Sequence, residues 1–314
     1  METLPVELHS HILQLACTDD GSTARTLSLV SKYVHQIADP FLSQTLIVSG
    51  SDRLNLVANK LITSPNLRRR VRHLFLSDQK PHETPASDQQ TPPTPDDVPI
   101  QSQEGNEMPL IIQILDLTSQ SLHSLGLNIS NPRISPHLLG HVFSMTFPRL
   151  YTLLAHGLYP FPYLPRSLPQ LEYLHLSGNR NPHGLFQTGG LAAACPNLTR
   201  VKISGLMYAR SFIKELEDIL HPIMEDGDSY SEIHHPPPAL PPHLQHIAVA
   251  PGFFHAPKSW CPSPRGCTDN TLERLKKLEE CSEKSGDVEL QVGELRNAHD
   301  VSSALLSEWL EAMC

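Results

Sequence analysis

Residues 168–179 read LPQLEYLHLSGN. Leu171, Leu174 and Leu176 set an apolar-x-x-apolar-x-apolar unit, whose alternation is that of a short strand with inward-facing alternate side chains. The unit recurs at Val71, Leu74 and Leu76 (VRHLFL) and at Leu122, Leu125 and Leu127 (LHSLGL). It returns at Leu150, Leu153 and Ala155 (LYTLLA), at Leu198, Val201 and Ile203 (LTRVKI), and at Leu244, Ile247 and Val249 (LQHIAV). The start-to-start intervals along the chain are 51, 28, 21, 27 and 46 residues. Several copies share a lead-in, FPRL, LPQL or CPNL, with SPNL and LPPHL further out. Proline two or three residues ahead of the first Leu starts each strand after a tight turn.

The three middle intervals fall within the roughly 20–29-residue period of leucine-rich repeats. One such unit cannot bury its apolar face alone, whereas stacked units build a continuous core. The segments between them, MPLIIQILDLTSQ, SPHLLGHVFSM, GGLAAAC and SFIKELEDIL, return as helices or extended coil. Asn179 stands where such repeats pair a polar side chain with backbone amides. Two insertions lengthen the outer intervals. Residues 81–109 hold seven prolines and six acidic residues with no Lys or Arg, a composition that predicts disorder. Residues 222–243, with HHPPPALPPH, read as a second long loop. An amphipathic helix around TLERLKKLEEC, a strand DVELQV and a last helix with Val301, Leu305, Trp309 and Leu310, capped by Asp300, follow. Residues 268–314 are expected to cap the open end of the stack.

Composition sets the class. Proline is 29 of 314 residues, nearly twice the usual share of roughly 5%, so loops are many. A net charge of -9 argues against a general nucleic-acid binder, which needs a basic face. The apolar runs fall short of the roughly 18 residues of a membrane span. The first residues have neither the basic region nor the apolar core of a signal peptide. Six scattered cysteines read as reduced thiols, giving a cytoplasmic and/or nuclear expectation. No GxSxG, GxGxxG, P-loop or HExxH occurs. The expectation is a non-catalytic protein with no catalytic, cofactor-binding or metal-ligating residues. Cys261 and Cys267 are spaced too widely for a usual zinc pair, and His234-His235 lies in a proline-rich loop. Arg68 to Arg72 (RRRVR) reads as solvated arginines leading into the first repeat. Thr84-Pro85, Thr91-Pro92 and Thr94-Pro95 are candidate proline-directed phosphorylation sites in the acidic insert.

The first fifty residues follow another period. Leu8, Ile12 and Leu15 recur at helical spacing after Pro5, with Glu7 in the first turn. Thr23 is placed to cap a second helix with Leu27, Leu29 and Val30. A third runs through Tyr33, Val34, Ile37 and Ala38 and ends at Asp39-Pro40. Three helices of this size enclose little core, so either the rest of the chain or another protein covers the remainder.

LPVELHSHIL followed by LSLVSKYVHQIA resembles the F-box, most closely its fungal variants, over roughly residues 3–46. Leu4-Pro5, Glu7-Leu8, Ile12-Leu13 and Leu29-Val30-Ser31-Lys32 stand in register with that pattern. Thr23-Ala24 replaces its Asp-Leu, and Val34 its Trp. The resemblance implies the substrate receptor of a cullin-based (SCF-type) ubiquitin ligase. The F-box would dock a Skp-type adaptor and, through it, a cullin, while a leucine-rich-repeat domain captures a protein substrate. The adaptor-binding residues it implies are Leu4, Pro5, Leu8, Ile12, Leu13, Leu29 and Val30. The expected fold class is α/β: an F-box over residues 1–50, then an irregular leucine-rich-repeat solenoid of short parallel strands over 51–314. The alternative is a repeat-based interaction scaffold whose degenerate F-box no longer binds the adaptor.

Overall fold

Each apolar unit forms a strand, and the strands pair in the order in which they occur. The computed structural model describes residues 4–17, 19, 21–79, 107–162, 164–187, 189–220, 240–252, 264–285, 288–293 and 301–313. The strands are β1 (Thr45–Ser49), β2 (His73–Ser77), β3 (Ser124–Asn128), β4 (Thr152–His156), β5 (Tyr173–Ser177), β6 (Arg200–Leu206), β7 (His246–Pro251) and β8 (Glu289–Val292). They form one eight-stranded parallel sheet in sequential order, so the chain is α/β. Leu46, Leu74, Leu125, Leu153, Leu174, Val201, Ile247 and Leu290 occupy a single register row across all eight. Val48, Leu76, Leu127, Ala155, Leu176, Ile203, Val249 and Val292 form the next row on the same face.

That face is covered by helices, and together they make the main core. The helices are α4 (Ser51–Thr63), α5 (Pro65–Arg70), α6 (Glu107–Thr118), α7 (Ser135–Ser144), α8 (Gly190–Ala194), α9 (Arg210–Leu220) and α10 (Pro264–Ser285). Leu54, Ile114, Leu138, Leu191, Phe212 and Leu275 reach the strand rows from α4, α6, α7, α8, α9 and α10. Glu215, a fully buried carboxylate on α9, accepts hydrogen bonds from the backbone N–H groups of Gly184, Phe186 and Gln187 at 2.6, 2.6 and 3.0 Å. It thereby ties the segment that follows β5 to α9.

The turns after the strands pack backbone on backbone. Gly178 has φ +112°, and a Cβ there would lie 2.4 Å from the Gly157 carbonyl oxygen. Asn179 reaches back to the same neighbouring turn. Its Oδ1 accepts from the Tyr159 N–H at 3.3 Å and its Nδ2 donates to the Tyr159 carbonyl at 2.8 Å.

The fold differs from expectation in three places. β1 and α4 add a strand and a helix to the near end of the sheet, where the repeat pattern is silent. Ser43 occupies the place of Val71 in the β1–β2 register, so the leading apolar residue is missing there. Helix α6 begins at Glu107, inside the stretch 81–109 read as disordered. Pro109 is tolerated in its first turn, where its missing N–H has no intrahelical partner in any case. The remainder of that stretch, residues 222–239 of the segment 222–243 read as a second loop, with His234-His235, the three Thr-Pro sites, Cys261 and Asp300 lie outside the described residues. The third difference is the last helix, α11 (Val301–Glu311). While α10 and β8 extend the end of the stack, α11 lies against the opposite face of the sheet, where Leu305 and Trp309 pack on Phe75 and Leu154. Among the described residues, no helix is long and apolar enough to cross a membrane.

Candidate protein-binding surfaces

Helices α1 (Val6–Ala16), α2 (Ser22–Ser28) and α3 (Lys32–Ala38) have a core of their own, separate from that of the sheet. It consists of Leu13, Ile37 and Ala38, with Leu27 and Phe41 beside them. Pro5 sits one position before α1, where its carbonyl accepts from Leu8 and His9. Thr23 does not cap α2. Asp19 does, accepting from the backbone N–H groups of Gly21 and Thr23 at 3.0 and 2.9 Å and from the Ser22 and Thr23 hydroxyls. Partial burial acts to raise its carboxyl pKa, but these hydrogen bonds outweigh that and hold it below the usual carboxylate range. Ser31 caps α3 by accepting from the Val34 N–H.

Polar contacts tie the trio to β1 and to α5. The Thr45 hydroxyl donates to the Asp19 carbonyl at 3.1 Å, and Arg70 pairs with Asp39 at 2.8 Å. The Tyr33 hydroxyl and His9 Nδ1 are 2.9 Å apart, and their rings meet edge to face. This contact ties the start of α3, and the turn carrying Leu29 and Val30, to the second turn of α1.

Six of the seven residues singled out in the sequence, Leu4, Pro5, Leu8, Ile12, Leu29 and Val30, are exposed. Leu29 and Val30, at the α2–α3 turn, are 85% and 67% exposed. Leu13 is the exception, at 9%. At about 100° per residue it lies roughly 140° around the helix from Leu8, so it faces the trio's own core. Val6, Leu15 and Tyr33 belong to the exposed set and were not among the seven. The helical spacing of Leu15 from Leu8 was the available signal for one of them. Of thirteen large exposed apolar residues among those described, eight lie between Leu4 and Tyr33. Apolar exposure concentrated in one short segment marks an interaction surface more often than single scattered residues do.

The second surface is the face of the sheet opposite its helices. One register row across it runs Ile47, Phe75, Gly126, Leu154, His175, Lys202, Ala248 and Gln291. It is apolar over β1–β4 and polar or small over β5–β8. Helix α11 covers the apolar half. Its Glu308 accepts from the Tyr173 hydroxyl at 2.6 Å, meets Lys202 Nζ at 2.6 Å and faces His175 Nδ1 at 2.9 Å. Burial works to raise the Glu308 carboxyl, but His175, Lys202 and Tyr173 overcome it and hold the pKa far below the usual range. Beyond α11 a groove of about 1010 Å³ runs along β6–β8.

Among the described residues, no group of three or more His, Cys, Asp or Glu is placed to hold a metal ion. The chain matches no protein-family model, and no curated protein matches it significantly.

Proposed function

We propose that the protein is the non-catalytic substrate-receptor subunit of an SCF-type ubiquitin ligase. Helices α1–α3 act as an F-box on a Skp-type adaptor, and the sheet with its helices acts as a leucine-rich-repeat domain holding a protein substrate. One observation carries this reading: the large exposed apolar side chains are concentrated on the three short helices that bear the F-box-like sequence. Covering a half-exposed residue of this kind contributes about 1–2 kcal/mol. Eight give roughly 8–16 kcal/mol, the same order as the 4–15 kcal/mol lost on association. Docking therefore needs most of the set, and two charges placed within it suffice to abolish the complex.

The test is co-purification of the adaptor with wild type and with a Leu8→Asp, Ile12→Asp double variant. Both positions are exposed, so the variant retains the fold. Adaptor recovered with wild type and lost from the variant is the expected result. Equal recovery with both proteins, or recovery with neither, removes the ligase assignment and leaves a repeat-based scaffold with a degenerate F-box.

A further inference from the structure

The contacts of α11 have the character of a bound ligand more than of a core helix. Its cluster of Leu305 and Trp309 on Phe75 and Leu154 is separate from the main core on the other face, so removing the helix opens no part of that core. Specific polar contacts fix it at both ends. Ser302 takes a hydrogen bond from Asn128 at 2.9 Å, and Glu308 meets Tyr173, His175 and Lys202. Gly126 makes the seat, because a Cβ there would lie 2.4 Å from Phe75 and 3.2 Å from the Trp309 ring. The fit is incomplete in one respect. The Trp309 Nε1–H is buried and has no hydrogen-bond partner among the described residues, a loss that weakens docking. The groove beside α11, floored by Ala248 and Ala250 and flanked by Arg200 and Lys202, gives a second segment room to engage before α11 leaves.

We infer that the open face is a docking groove for an amphipathic helix, and that α11 is its resident, displaceable occupant. The partner it fits presents a helix of the same chemistry: an acidic residue directly before a large aromatic, with a leucine one turn earlier, as in Leu305, Glu308 and Trp309. The acid meets Lys202 and His175, and the aromatic fills the space over Gly126. This inference stands whether or not α1–α3 bind an adaptor. If they do, a substrate must compete with α11 for the face.

The experiment uses a fluorescently labelled peptide of residues 300–314 and the full-length protein, read by anisotropy. A tethered helix competes at an effective concentration on the order of millimolar, so wild type binds the peptide weakly. A Glu308→Arg, Trp309→Ala variant has a weakened occupant and should bind the wild-type peptide at least about tenfold more tightly. The same peptide carrying Glu308→Arg should not bind. A folded variant that takes up the peptide no better than wild type overturns the inference. Should the variant fail to fold, a protease site placed between β8 and α11 of the otherwise unchanged chain decides the matter. After cleavage, excess labelled peptide should replace the severed helix. Retention of that helix against excess peptide, or collapse of the nicked protein, shows a permanent structural element and refutes the proposal.

Discussion

Leu13 and Leu29 are the same side chain with opposite duties. Leu13 holds Ile37 and Ala38 together inside the trio, whereas Leu29 stands free at a turn. Leu13→Ala should destabilise the three-helix unit by about 2–4 kcal/mol, and Leu29→Ala should stay within about 0.5 kcal/mol of wild type. Amide hydrogen exchange in α1–α3 measures both, and equal effects would contradict this division. Gly178 is constrained by backbone rather than by side chains. Its φ of +112° and the carbonyl of Gly157 leave no room for a methyl group. Gly178→Ala is expected to cost about 2–5 kcal/mol in urea unfolding. A loss under 1 kcal/mol would mean that the turns slide apart more easily than this packing allows.

Among the elements, α9 depends most on one polar group. Glu215 lies within the apolar helix-side core, where an ionised carboxylate is costly unless its oxygens are fully used. Three backbone N–H groups use them and fix the segment Gly184–Gln187 against α9. Glu215→Ala strands those donors and should cost about 3–5 kcal/mol in urea unfolding. The Asp19 cap of α2 is a weaker, more exposed version of the same device. Because its folded pKa is depressed, its contribution is present above the ordinary carboxylate range and is lost as pH falls through the folded value.

Over the whole molecule, acid sensitivity follows from half-buried imidazoles along the sheet. His73 is pushed down to about 4, first by burial and then by the charges of His123 and Arg72; burial also lowers His123 and His156. A histidine depressed in the folded state binds its proton more readily once unfolded. Stability therefore falls as pH drops below the ordinary value near 6.5, and the His73 contribution is exhausted near pH 4. Between pH 7 and 5 this residue alone should account for about 2 kcal/mol. Urea midpoints at the two pH values measure the loss, and His73→Gln should flatten the slope. An unchanged slope in that variant would place the acid sensitivity elsewhere.

The apolar rows could be read before the fold was seen, because a parallel sheet with one face under helices demands the same inward residues at the same strand positions. LEYLHL and its copies met that demand and located β2 to β7. Helical spacing likewise showed Leu8, Ile12 and Leu15 as a stripe. What followed from no local pattern was decided in three dimensions. β1 has Ser43 where a unit begins with an apolar residue, and it joins the sheet because β2 offers an unpaired edge. Leu13 turns inward because Ile37 and Ala38, more than twenty residues away, supply its pocket. Helix α11 looked like one more cap, since its leucines and tryptophan fit any apolar partner. Only the arrangement of Phe75, Gly126, Leu154 and the Glu308 partners on neighbouring strands sets it on the open face. Periodicity reports that a face must be buried, and the choice of what buries it belongs to residues that meet only after the chain has folded.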